Sequence, residues 1–583
     1  MKDFLKTTLA VICGILVTTV VFFFIMAGIF GSMLTLGNTT PSLPKQGVLR
    51  IDMSKMVLGE QTTESDPITS LSGNGTTTIG ILDAVRAVKL AAEDPAVQYI
   101  YLKSDMNLSE ISYLEEFRAA LSEFRTGSGK PIVSYMEAPG TGSYYLSSVS
   151  DKIYMTPYMG ATTTVSGVSS QMIFLGDLLN RLGVKVQLIR HGKYKSAGEM
   201  YTRSSSSAEN REQNQRMVDA LWETMRTEIA SGRDLSPEAV DAAINGLELN
   251  QPEDFLRCGF VDELLSIEQL KDKLAALAVK EDFKDVKMIP FEDYVSVKTP
   301  VNVAKKQIAI IYANGEIVDG SDPANVDGDR FASLIAKVRA DSTVKAVVLR
   351  VNSPGGSVLA AEKIKDELDQ LKAEKPVVAS YGSYAASGGY WISSNCDKIY
   401  SDATTLTGSI GVFGLIPDFS SATRDKLHVG VESVTSNKHG DMYGMMRPFD
   451  SAETAYMQKS IESIYERFTT LVSDGRSLPV ETVDAIGQGR VWAGSDAISI
   501  GLVDEIGSLE DALYYAASCA GDPNPDAWGI VAYPRAQSNL EMLLERLGGG
   551  SSSASLSEDL VSRLSGLDGP KVLARMDSCF EIK

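Results

Sequence analysis

VVLRVNSPGGSVLAAEKI, residues 347–364, passes from an apolar, β-rich run through Pro354-Gly355-Gly356 into a helical pattern. The spacing predicts a strand at Val344–Val351, a tight turn, and a helix over Val358–Leu371. IAIIYA (Ile308–Ala313) upstream and PVVAS (Pro376–Ser380) downstream read as further strands. Strand and helix alternating at this interval argue for βαβ units around a largely parallel sheet, an α/β fold. The turn also concentrates chemistry. Two glycines permit close backbone approach and bare N–H groups beside a first helical turn, where the dipole favours negative charge. A second elbow, VVASYGSYAASGGYW (Val377–Trp391), puts Ser387 after a strand and before Gly388 and Gly389. Exposed N–H donors near a serine are what an oxyanion hole needs. Taken singly, either motif is more simply a turn, with Ser387 a helix N-cap.

An internal repeat decides between these readings. SSVSDKIY (Ser147–Tyr154) pairs with SSNCDKIY (Ser393–Tyr400), SGRDLSPEAVDAAINGLEL from Ser231 with DGRSLPVETVDAIGQGRVW from Asp474, and GFVDE at Gly259 with GLVDE at Gly501. Three pairs in the same order and at nearly constant offset mean two related halves, 45–287 and 305–535. The prolines and mixed polarity of 288–304 read as a connector. In the tail, 536–583, GGGSSSAS (Gly548–Ser555) reads as a flexible linker to a last short helical segment. Laid together, the halves put Thr141 opposite Ser387, and Asn107, Leu108 and Ser109 opposite Pro354, Gly355 and Gly356. Residues serving only the fold would be needed in both copies, so their presence in one points to chemistry there.

A nucleophilic serine needs a base. The string LIRHGKYKSAGEMYTR (Leu188–Arg203) holds His191, but its stronger candidate is Lys195. A lysine serves if its amine is neutral near pH 7, which burial and neighbouring positive charge promote, and Arg190, Lys193 and Arg203 are near in sequence. The second half has no matching YKSA string at Thr435–Met446. One half thus carries the serine and the other the lysine.

Between Lys6 and Lys45 no residue is charged, and Leu9–Phe30 within that gap is mostly apolar. As a helix this stretch spans about 33 Å, enough for a bilayer core. Positive charge precedes it at Lys2 and Lys6, so residues 1–36 read as a cytoplasmic N-terminus and an uncleaved anchor, with the body on the outer side. The 583-residue chain is otherwise ordinary for a globular protein at 44% hydrophobic and 22% charged. Its net charge of −20 repels phosphate backbones, which excludes nucleic acid as a partner. Five scattered cysteines without a CxxC pair, three histidines without HExxH, and no GxxxxGK[ST] exclude a zinc ribbon, a zincin and a P-loop enzyme. Neither metal nor cofactor is expected.

NSPGGS, AASGGYWIS, TLTGSIGVFG and GKYKSA, with the double-length repeat and the anchor, resemble the long type of signal peptide peptidase A, the protease IV family. The resemblance covers nearly everything from Lys45 to Arg535, and leaves the tail beyond Gly548 unplaced. It implies two tandem ClpP/crotonase-like domains and a membrane-bound serine endopeptidase that degrades signal peptides left after preprotein processing. On matching positions it implies Ser387 as nucleophile, Lys195 as base, Gly356 and Gly388 as oxyanion donors, and Ser409 as the serine orienting the lysine amine. It further implies a homo-tetramer on the outer face of the cytoplasmic membrane, taking signal peptides and other hydrophobic peptides and meeting lipid through its N-terminal helix. A crotonase-type acyl-CoA enzyme shares the frame and glycine turn, but the outward location and Lys195 count against it. A peptide-binding scaffold without catalysis is opposed by intact Ser387 and Lys195.

Overall fold

The computed structural model describes residues 41–63, 76–160, 163–299, 304–320, 325–536 and 571–576, with a few positions before residue 25. The expected anchor Leu9–Phe30 lies largely outside these residues. Among those described, no helix is long and apolar enough to cross a membrane.

The first half contains β1 (Gly47–Asp52), α1 (Ile81–Glu93), β2 (Val97–Lys103), α2 (Ile111–Ser128), β3 (Ile132–Met136), α3 (Thr141–Ser147), β4 (Lys152–Met155), β5 (Lys185–His191), α4 (Ala208–Arg233), β6 (Glu263–Leu264) and β7 (Met288–Pro290). These strands, β5 aside, form one parallel sheet in the order β6-β4-β3-β2-β1-β7. The second half repeats the frame with β8 (Gln307–Asn314), β9 (Val344–Ser353), β10 (Gly355–Ser357), α5 (Val358–Glu374), β11 (Val377–Ala386), α6 (Gly388–Ser393), β12 (Lys398–Ser401), β13 (Leu406–Gly408), β14 (Val412–Asp418), α7 (Ser451–Arg476), β15 (Val491–Ala493), β16 (Glu505–Ile506) and β17 (Gly529–Tyr533). Its main sheet runs β15-β13-β11-β9-β8-β17, parallel except at β15, with β12 also on β11 and β16 on β12. Runs such as AVVL in β9 are apolar throughout because helices cover both faces of a parallel sheet.

Three expectations are refined. The strand expected to end at Ser380 continues to Ala386: after a shift in register, Tyr384–Ala386 pair with β13 and Ala385 with Ser353. The connector 288–304 is not slack throughout, because Met288–Pro290 adds the outer strand β7 to β1 and Phe291–Lys298 is a helix with Phe291 and Tyr294 wholly buried. In the tail, Lys571–Arg575 is a strand, β18, while residues 556–570, where the helical segment expected after the linker would begin, lie outside the described residues.

The halves are joined by a third sheet. From one edge, Val326–Asp327 and Ile317–Val318 lead to β10, β18, β14 and finally β5, which comes from the first half. β5 pairs antiparallel with β14 along its whole length, Val412 opposite His191 through Asp418 opposite Lys185. A buried ion cluster pins the same seam. Arg350 on β9 donates to Glu60 at 2.8 Å, to Glu116 on α2 at 2.8 Å, and to Ser380 Oγ and the Tyr381 carbonyl. Burial pushes the Glu116 carboxyl above its usual range against the pull of Arg350. Nearby, the two carboxylate oxygens of half-buried Glu115 accept from Ala403 N, Thr404 N and Thr404 Oγ.

Two outcomes follow. Arg350→Ala strands two buried carboxylates and should destabilise the seam by about 3–5 kcal/mol; an unchanged thermal midpoint would show that the cluster does not hold the halves. Burial raises the Glu115 carboxyl from 4.5 to about 7. Between those values the unfolded chain gives up this proton first, so the seam is strongest on the acid side and weakens as pH rises through about 7. Glu115→Gln should flatten that decline in midpoint, measured across the same pH range.

Candidate active site

β11 ends in Ala385-Ala386 and α6 begins at Gly388, so Ser387 occupies the corner between strand and helix. Its backbone is at φ 56°, ψ −112°, a conformation that side chains rarely adopt. Two bonds hold it there: Ser387 N donates to the Gly408 carbonyl at 2.8 Å, and Trp391 N donates to the Ser387 carbonyl at 2.8 Å. Ser387 is therefore not a side-chain N-cap of α6.

Lys195 follows β5 and reaches the serine from the other half. Its Nζ donates to Ser387 Oγ at 2.7 Å, to Ser409 Oγ at 3.0 Å and to the Ser409 carbonyl at 3.1 Å. All three side chains are essentially inaccessible to solvent, at 1% exposure or less. Ser409 is itself at φ 51°, anchored by its N–H to the Arg490 carbonyl at 2.7 Å. The three residues that the family pattern singled out for proton transfer are thus brought together.

The two glycine turns meet at the same point. A Cβ placed on Gly388 would lie 3.1 Å from Gly356 N, and one on Gly355 would lie 2.5 Å from Gly388 N. A Cβ on Gly356 would drive into the Ile317 carbonyl oxygen. Backbone is packed on backbone with no room for side chains, which is why glycine is required. The Gly355-Gly356 turn therefore packs directly against Gly388, the residue after Ser387.

The other sequence candidates separate from the chemistry. His191 stacks on Tyr465 with ring centroids 3.8 Å apart. Thr141, the positional partner of Ser387, is a buried bracket: its Oγ1 accepts from Ser166 N at 3.0 Å and donates to the Thr164 carbonyl at 3.2 Å. The positive neighbours expected around Lys195 are largely balanced. Arg190 pairs with Glu199 at 3.1 Å and also donates to the Lys195 carbonyl at 2.8 Å, while Arg203 lies 4.0 Å from Glu199. Burial opposes ionisation of Glu199, but hydrogen bonds from Ser207 and Arg190 outweigh it and hold the carboxyl below its usual range. Lys193 is exposed, its amine over the Tyr194 ring.

Sequence reading missed what shapes the lysine's slot. Gly489, at φ 78°, lies so close that a Cβ there would come 2.5 Å from Lys195 Cβ and 2.6 Å from its N. A Cβ on Gly411 would meet Lys195 Cδ at 3.2 Å. Gln213 on α4 ties the loop down, donating to the Tyr194 carbonyl and Ser196 Oγ and accepting from Val491 N. The repeat carried no signal for it, because GQGR (Gly487–Arg490) falls opposite INGL (Ile244–Leu247) and Gly489 has a glycine, Gly246, standing opposite.

Known proteins match most of this chain. The model for peptidase family S49 matches residues 125–280 and again 369–521, once in each half. Protease 4 of Haemophilus influenzae is 34% identical over 497 residues, covering 82% of this chain and 80% of that protein. Protease 4 of Salmonella typhi is 34% identical over 545 residues, 90% of this chain and 86% of its own length. The chloroplastic serine protease SPPA of Arabidopsis thaliana is 30% identical over 468 residues, 79% of this chain and 68% of that protein. Among solved structures, a point mutant of ClpP1 from Listeria monocytogenes overlaps 35% of this chain and 93% of its own, with 16% identity and a TM-score of 0.24.

Gly489→Ala should displace the Lys195 backbone while leaving both cores intact. A shift on the order of 1 Å in a positioned catalytic group can lower turnover about 10²-fold. Gly430→Ala, where an added Cβ meets nothing within 4 Å, is the control. Equal kcat in the two variants would mean that Gly489 does not position the lysine.

Proposed function

The chain belongs to peptidase family S49 and is a serine protease, and we propose that it degrades signal peptides left in the membrane by a Ser–Lys mechanism. The observation that carries the mechanism is the 2.7 Å separation of Lys195 Nζ and Ser387 Oγ, across which the serine hydroxyl donates when the amine is neutral. Ser387 Oγ attacks the peptide carbonyl as its proton passes to neutral Lys195. The Gly356 and Gly388 amides take the charge that develops on oxygen. Collapse breaks the C–N bond, Lys195 returns the proton to the leaving amine, and an acyl-serine ester remains. Water then attacks that ester with Lys195 again as base, restoring the serine and releasing the acid. Ser409 holds the amine on line through its hydroxyl and carbonyl.

The finer reading has separate supports. The matching strand orders and the serine at a strand-helix corner favour two ClpP/crotonase-like domains. The uncharged, apolar Leu9–Phe30 supports a single-pass anchor in the cytoplasmic membrane, with the body on the outer face and lipid met through that helix. Signal peptides and other hydrophobic peptides are the substrates of this reading, in a homo-tetramer.

Ser387→Ala and Lys195→Ala should each abolish hydrolysis of purified signal peptides with the fold intact. Lys195→Arg should not rescue, since guanidinium stays protonated. Thr141→Ala should leave kcat near wild type. Because the base acts as the free amine, kcat/KM should rise with pH as that proton is lost. An ordinary lysine would place the limb near about 10.4, and burial, which disfavours the ammonium form, should bring it lower. Retained activity in Lys195→Ala with loss in His191→Ala would overturn the Ser–Lys assignment. For topology, protease added to spheroplasts should reach the body; protection until detergent is added would refute the orientation.

A further inference from the structure

Arg490 stands where the segments that hold the lysine amine meet. Its backbone carbonyl accepts from Ser409 N at 2.7 Å. The next residue, Val491, opens β15 and pairs antiparallel with Gly408, whose carbonyl accepts from Ser387 N. The Arg490 side chain turns to the other wall of the lysine slot. Its guanidinium carbon lies 4.9 Å from the centre of the Tyr194 ring and 4.4 Å from that of Trp492, in range of both aromatic faces. Nη1 donates to Glu212 Oε1 at 3.2 Å and to Tyr194 Oη at 3.4 Å, while Tyr194 Oη donates to the same carboxylate oxygen at 3.0 Å. Nε has no hydrogen-bond partner among the described residues, so ring contact and the Glu212 pair set the guanidinium plane.

These contacts bracket Lys195. Tyr194 precedes it, and Tyr194 N donates to the Gln488 carbonyl at 2.9 Å. Glu212 and Gln213 are consecutive on α4: the first meets the guanidinium, and the second donates to the Tyr194 carbonyl and to Ser196 Oγ. Arg490 thus fastens Ser409 by its backbone and Tyr194 by its side chain. The repeat singles it out as well. Leu247 stands opposite Arg490 and Leu249 opposite Trp492, and Leu247 is 84% exposed. The half that lacks the serine keeps neither the cation nor the indole.

We infer that Arg490 is a positioning residue for the proton transfer, holding the Lys195 amine between Ser387 and Ser409 by clamping Tyr194 on one side and Ser409 on the other. This rests on the Ser–Lys reading above. Because Glu212 lies against the guanidinium, the effect is one of geometry and not of added positive charge beside the amine. A lysine at this position would keep the charge but has no plane to lie against two rings.

The test compares Arg490→Lys, Arg490→Met and Lys195→Ala with wild type in hydrolysis of a purified signal peptide across pH, with the thermal midpoint of each. Lys195→Ala should be inactive. Both Arg490 variants should lower kcat at least about tenfold with KM unchanged, within the range that a misplaced catalytic group costs. In Arg490→Lys the rising limb of kcat/KM should stay at the wild-type pH, since the charge beside Glu212 is kept. Tyr194→Leu removes one ring, so Arg490→Met combined with Tyr194→Leu should be no slower than the slower single variant, both changes cutting the same path. Wild-type kcat in Arg490→Lys, a shifted limb at full kcat, or losses that multiply in the double variant overturn the inference. So does a loss seen only where the midpoint has dropped to the assay temperature, which is a folding defect. In each of these cases an inactive Lys195→Ala leaves the protease reading standing, whereas an active Lys195→Ala overturns both.

Discussion

The bond between Lys195 and Ser387 joins residues 192 positions apart in the chain, one from each half. It can exist only when the two sheets are docked in one register, and the surrounding structure supplies that constraint. The β5–β14 ladder sets the lysine loop against the serine half over seven paired residues. Arg350 fixes the second contact from the opposite side of the turn, since its own strand ends in the Pro354-Gly355-Gly356 corner. A shift in either contact would move Lys195, Ser387 or the Gly355-Gly356 turn relative to the others.

Within that frame, two residues of the candidate site are held in strained backbone conformations. Ser387 and Ser409 both have positive φ, and Gly355 and Gly356 are packed where a Cβ would meet backbone atoms. Ser387 and Ser409 each cost about 1–3 kcal/mol and persist only because their surroundings overdetermine them. Here the surroundings are buried strands on both sides. On the proposed mechanism the gain is that the hydroxyl, the amine and two amides are fixed before substrate arrives, so little reorganisation remains for the reaction itself.

Much of this was legible in the sequence because backbone demands leave residue-level marks. The βαβ frame follows from apolar runs punctuated by glycine. The split dyad follows from an asymmetry between copies, with Thr141 standing where Ser387 stands and nothing standing where Lys195 does. Less legible were features set by contacts distant in sequence. Nothing in GQGR announces that Gly489 will press on the Lys195 backbone, or in NSP that Asn352 will donate to Tyr113 of the other half. The strand at Lys571–Arg575 was unreadable for a related reason: KVLAR is short and carries no strong period, and it becomes a strand because β10 and β14 offer it two edges. Residues 288–298 misled similarly, since three residues of β7 are too few to show alternation and their pairing partner β1 lies far upstream.

Duplication explains why the active site is divided. Two copies of a frame have two strand-helix corners, and each corner can either hold a strained nucleophile or relax. In the first half Thr141 takes the relaxed solution, its hydroxyl satisfied by Thr164 and Ser166. That half contributes instead the loop after β5, whose lysine crosses the seam. Neither half then contains a complete proton-transfer pair. During synthesis Lys195 is made well before Ser387, so no competent site exists until the second sheet has folded and β14 has closed on β5. On the proposed mechanism, placing the base and nucleophile on opposite sides of the seam makes hydrolysis conditional on the docked fold.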